Sequence, residues 1–129
     1  MTIHFKSTYG SNGKFNTIEF KTKLEMFQEN EYRVLIFEEK RNDNKIIKNR
    51  IEFNEHLVNI YSGPSTLNLE LNKKIKNNFN AESVSVYIWT YLKEIILEEN
   101  KATFEYQVAA HEDFEEANDF KLELEWSAD

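Results

Sequence analysis

The chain has no cysteine, one proline and three glycines in 129 residues. Without cysteine there is no disulfide framework, no thiolate metal site and no cysteine nucleophile. With so few glycines, no phosphate-cradling loop is available. Gly10 and Gly13 fall in a turn between two extended segments, not at the strand-to-helix step that a dinucleotide fingerprint or P-loop requires. No apolar run approaches the roughly 20 residues needed to cross a bilayer as a helix. The start, Met-Thr-Ile-His-Phe-Lys, lacks the basic and apolar regions of a secretory signal, so a cytoplasmic location is expected.

Aromatic residues, by contrast, make up 14% of the chain and charged residues 30%. Disordered chains are poor in aromatics, so one folded domain over residues 1–129 is expected. The net charge of −7 is uneven. Residues 1–93 carry 14 basic against 11 acidic side chains, and residues 94–129 carry 2 against 12. The acidic end would repel phosphates, so nucleic acid is not an expected partner.

The dominant pattern has period two, the signature of half-buried strands. Ile3, Phe5 and Ser7 alternate with His4, Lys6 and Thr8. Ile18, Phe20, Leu24 and Met26 follow, and a slip of phase at Met26-Phe27 predicts a bulge or a strand end there. Tyr32 to Phe37 is apolar on both faces, and Lys40 to Lys45 is a polar loop. Ile47, Asn49, Ile51 and Phe53 alternate next, then Leu57 to Tyr61, closed by Ser62-Gly63-Pro64-Ser65. Leu67, Leu69, Leu71, Ile75 and Phe79 share one parity, and Asn77 to Glu82 reads as a polar connection. Ala102 to Val108 and Phe120 to Trp126 alternate near the end. Between them, Val84, Ile88, Leu92, Ile95 and Ile96 fit a helical face as well as a strand. The β-branched and aromatic content favours strand, with a short helix near 91–99 as the alternative. The expected fold is all-β, an antiparallel meander of about 8–10 strands closing into a barrel.

Certain words in this order resemble the YwiB-like family of bacterial proteins. They are I-x-F-K-S-T (Ile3 to Thr8), T-I-E-F-K-T (Thr17 to Thr22), the Ser62-Gly63 step, and the blocks Val84-Ser85-Val86 and Phe104-Glu105-Tyr106. The resemblance implies a calycin-like, lipocalin-like β-barrel and carries no catalytic residue, because the family has no known function. Two positions depart from the family pattern: Tyr61 stands where a basic residue often precedes Ser-Gly, and Asn80-Ala81-Glu82 replaces a glycine turn.

Few residues point to chemistry. His4, His56 and His111 lie about 50 positions apart and form no ligand pair. Ser62 lacks a nucleophile elbow. Glu112, Asp113, Glu115, Glu116 and Asp119 form an acidic run without the glycine of a calcium loop. The basic turn Lys40-Arg41 to Lys45, Lys48 and Arg50 offers charge to an anionic ligand, or forms a solvated hairpin. No catalytic role, metal or cofactor is assigned, and no enzyme is expected. The polar-tipped rings are more suggestive. Tyr32, Tyr61, Tyr87 and Trp89 suit the rim of a pocket for a small, partly apolar ligand, with residues alternating near Tyr61 and Trp89 as its lining. The alternative is an interaction module or homodimer, acting through an outer sheet face carrying Leu35 and Phe37 or through the acidic C-terminal region.

Overall fold

The computed structural model describes residues 1–81 and 84–129. Ten strands run in order: β1 (Thr2–Ser11), β2 (Lys14–Glu29), β3 (Tyr32–Lys40), β4 (Ile46–Phe53), β5 (Leu57–Ser62), β6 (Ser65–Glu70), β7 (Lys74–Ala81), β8 (Val84–Glu98), β9 (Lys101–Ala109) and β10 (Asn118–Ser127). Every ladder between neighbouring strands is antiparallel, in the spatial order β6-β5-β4-β3-β2-β1-β10-β9-β8-β7. This is a nearly closed all-β barrel, and no helix occurs among the described residues.

Two long strands make the sheet curl. The first part of β2 pairs with β1, from Lys14 to Lys23, and the remainder pairs with β3, from Leu24 to Glu29. The expected break at Met26-Phe27 is absent, since the register runs evenly through Met26↔Leu35 and Phe27↔Val34. The phase slip in the sequence arises because Phe27 is an outward-facing aromatic, with the Arg50 guanidinium 5.8 Å from its ring.

β8 is strand throughout, so the short helix near 91–99 does not form. Its helix-like spacing has a physical cause. A bulge between Leu92 and Glu94 inserts one residue, and the inward parity then passes from Thr90 and Leu92 to Ile95 and Leu97. One shift of parity in a period-two pattern imitates a 3.6-residue period over a short window.

The turns use asparagine where another chain would use glycine. Asn12, Asn30, Asn44 and Asn72 all take positive φ, between 53° and 66°. Asparagine tolerates this left-handed conformation better than other side chains because its amide bonds locally. Gly10 has a different reason, as a Cβ there would meet the Lys14 carbonyl oxygen at 1.9 Å.

The outermost strands, β6 and β7, are consecutive in the chain yet form no continuous backbone ladder. Side chains join them instead. Asn77 is buried, at 3% exposure, and its Oδ1 accepts the Asn68 N–H at 2.7 Å. Its Nδ2 donates to the Asn68 carbonyl at 3.1 Å and to Thr90 Oγ1 at 3.0 Å. Thr90, fully buried, donates its hydroxyl to the same Asn68 carbonyl at 3.0 Å. Ser65 Oγ donates to the Asn80 carbonyl at 2.8 Å. The stretch expected as a polar connection is therefore strand as far as Ala81, and Glu82 lies outside the described residues. Asn77 is polar because it stands in for a missing strand edge.

Candidate functional site

The middle of the barrel is packed with side chains. Phe5 stacks on Phe20 at 4.7 Å, with Phe37 tilted against both. Phe53 meets Phe104 at 5.4 Å and Trp126 at 6.4 Å. Phe120 stacks between Tyr106, at 5.0 Å, and Tyr9, at 5.7 Å. Leu35 and Phe37 belong to this core, as do Ile3, Leu24, Ile51, Leu92 and Leu124. The expectation that Leu35 and Phe37 mark an outer docking face is thus corrected. Both strand faces of β3 read as apolar because Val34, facing outward between Phe27 and Glu52, is fully covered as well.

Space remains at the two ends. At the end carrying the β3–β4 and β5–β6 turns lies a cavity of about 580 Å³. Its walls are Ile47, Ile60, Leu67 and Phe79, and the turn Ser62-Gly63-Pro64-Ser65 forms one side. The wall residues have the inward parity of their strands. Val86, the inward-facing partner of Phe79, is left 43% exposed. The charged groups among the lining residues are Arg41 and Lys45. Arg41 also borders a second recess of about 640 Å³, where the unpaired side of β2 exposes Ile18 and Phe20 beside Glu39 and Asp43. Ile18 points inward yet is 44% exposed, because β3 begins pairing with β2 only at Leu24.

The opposite end has a recess of about 610 Å³ with a different chemistry. Phe53, Leu97 and Trp126 form its floor, and the Arg33 guanidinium lies 5.9 Å over the Trp126 ring. Glu31, Glu55, Glu98 and Glu99 stand around it with Lys101 and His56. Arg33 already covers the aromatic floor, and the four carboxylates make this end hydrophilic.

The residues expected to rim a pocket lie on outward faces. Tyr61 pairs across β4 with Arg50, whose Nη2 bonds Glu29 at 2.7 Å and Glu52 at 2.8 Å. Burial, then the Glu52 charge, raise the Tyr61 phenol above its ordinary pKa. Tyr32, opposite Glu29, shares this surface, so Tyr61 and Tyr32 come together outside the barrel. Tyr87 and Trp89 sit on the outer face of β8, with Lys76 Nζ 4.5 Å from the Tyr87 ring and Tyr87 63% exposed. Their chain neighbours face the other way: Ile60 and Ser62, flanking Tyr61, line the 580 Å³ cavity. Ile47, Leu67 and Phe79 carried the signal of inward parity in the sequence. What the sequence did not carry was which of the inward residues sit at the open end.

The three histidines do not converge. His4 on β1 meets Glu19 at 2.5 Å, His56 lies before β5, and His111 lies in the β9–β10 loop. Among the described residues no group of His, Asp and Glu is arranged to hold a metal ion.

No protein-family model matches the chain, and no curated protein sequence matches it. Among solved structures, the crystal structure of the YwiB protein from Bacillus subtilis is similar over 98% of this chain and 91% of that one. The TM-score is 0.71 at 17% sequence identity. The chain therefore has a YwiB-like fold, and the resemblance read from Ile3–Thr8 and Thr17–Thr22 holds at the level of the backbone.

Proposed function

We propose that this barrel is a cytoplasmic binding protein that holds a small, partly apolar ligand in its open end without covalent chemistry. One observation carries the reading. Ile47, Ile60, Leu67 and Phe79 face inward around a cavity of about 580 Å³ that no described side chain fills, while the middle of the barrel is packed. Pockets for small molecules fall in this size range and combine apolar walls with a few polar groups. Leaving such apolar surface in water costs about 25 cal/mol per Å². An apolar ligand that covers it recovers that term.

A neutral fluorescent probe, N-phenyl-1-naphthylamine, tests the reading. Saturable enhancement of its emission is expected. Leu67→Glu places a charge in the wall and is expected to weaken binding about tenfold or more. Leu97→Glu, at the opposite end, is expected to leave binding unchanged. Emission that never saturates, or an equal response to both substitutions, contradicts the reading.

A further inference from the structure

The geometry points to an acidic head group on the ligand: the open end is built for an amphiphile with an anionic head. This deepens the proposed binding function and rests on it. The whole chain carries a net charge of −7, yet the charged side chains that line the cavity, Arg41 and Lys45, are both cations. Among the described residues no carboxylate lines it. In so acidic a protein, two cations among the described lining residues, beside apolar walls, suit an anion joined to an apolar body.

The two cations are held on one hairpin tip. Arg41 N–H donates to the Lys45 carbonyl at 2.9 Å, and Asn44 N–H donates to the Arg41 carbonyl at 3.0 Å. Lys45 N–H donates to Asp43 Oδ1 at 3.0 Å, and Asn44 supplies the left-handed step, φ 66°. These three bonds fix the turn that carries both cations. Arg41 Nε bonds Glu39 at 3.3 Å, which uses one of the five guanidinium donors. Its remaining donors, and the Lys45 ammonium, meet no acceptor among the described residues. Ser62 also lines the cavity and its hydroxyl donates to none of them. A carboxylate or phosphate head placed between Arg41 and Lys45 would gain charge-assisted hydrogen bonds while its tail lies on Ile47, Ile60, Leu67 and Phe79.

Displacement of the neutral probe by decanoate and by 1-decanol separates the head group from the tail. Decanoate is expected to displace it at about tenfold lower concentration than the alcohol at low salt, despite the stronger hydration of the carboxylate. High salt is expected to erase that advantage and leave the alcohol unaffected. Arg41→Gln combined with Lys45→Gln, both exposed positions, is expected to do the same. If the alcohol displaces as well as the acid in the native protein, the head-group inference is overturned and the apolar cavity stands. If the probe itself shows no saturable binding, the binding reading falls and the inference with it.

Discussion

Tyr106 shows how a single side chain sets a pH limit on the fold. It faces inward from β9, is buried, and stacks on Phe120. Burial alone drives its phenol well above the ordinary tyrosine pKa, since no charged neighbour contributes. In the unfolded chain the same phenol releases its proton near pH 10. The folded protein then holds a proton that the unfolded chain has lost, so its contribution to stability is complete below about pH 10 and falls as pH rises beyond it. The expected outcome is a steep alkaline loss of stability that Tyr106→Phe flattens. At neutral pH that substitution is expected to change stability by no more than about 1 kcal/mol. Urea melts at a series of alkaline pH values, with absorbance at 295 nm reporting phenolate, check this. A native-like alkaline decline in the variant contradicts it. Tyr61, raised by burial and by Glu52, adds a smaller decline of the same sign.

At the level of elements, the seam between β6 and β7 is the point where ladder gives way to side chain. β1 and β10 are hydrogen-bonded on both flanks, while β6 and β7 have a full ladder on one flank only. Asn77→Ala removes the acceptor of the Asn68 N–H and one donor to its carbonyl, which Thr90 still bonds, and is expected to cost about 2–3 kcal/mol. Thr90→Val keeps the shape, removes one donor, and is expected to cost about 1–2 kcal/mol. Thermal melts rank the two. Hydrogen exchange localises the effect: β6 and β7 are expected to lose protection in Asn77→Ala before β1 and β10 do. Uniform loss over all strands would mean that the seam is no weaker than the rest.

The same seam marks the limit of what the sequence made legible. Alternation reveals β1, β4, β9 and β10 directly, because each buries one face. It fails at Asn77, where a polar inward side chain replaces a strand edge, since asparagine in sequence is indistinguishable from linker. It wavers at β8, where the Leu92/Glu94 bulge shifts parity and mimics a helix. Parity also could not tell Tyr61 from Ile60 as the cavity-facing residue. That assignment depends on register against β4, fixed only when Arg50 pairs with Tyr61 and Ile51 with Ile60.

Across the whole molecule, charge is distributed less favourably than packing. Residues 94–129 hold 12 acidic groups against 2 basic, and they form the end of β8, β9 and β10 side by side. Some of that charge is compensated across strands. Lys6 and Lys121 stand opposite Glu123 and Glu105, and Lys101 Nζ lies 3.5 Å from Glu123. One pairing is not: Glu94 stands directly opposite Glu105 on the outer face. Like charges facing each other on adjacent strands are destabilising by roughly 0.2–1 kcal/mol. Glu94→Lys turns this repulsion into attraction and lowers the net negative charge of the chain. The Glu94 side chain is exposed and is not among the lining residues of the open end. The expected outcome is a gain of about 0.5–1 kcal/mol, or roughly 2–5 °C in Tm for a chain of this size. The gain should be largest at low salt and shrink as salt rises, because Glu94 is exposed and its interactions are screened within about 10 Å at moderate ionic strength. Melts of both proteins across a salt series decide the matter. A variant that melts at or below the native temperature at low salt would show that the Glu94–Glu105 repulsion is already relieved by solvent and by Lys121.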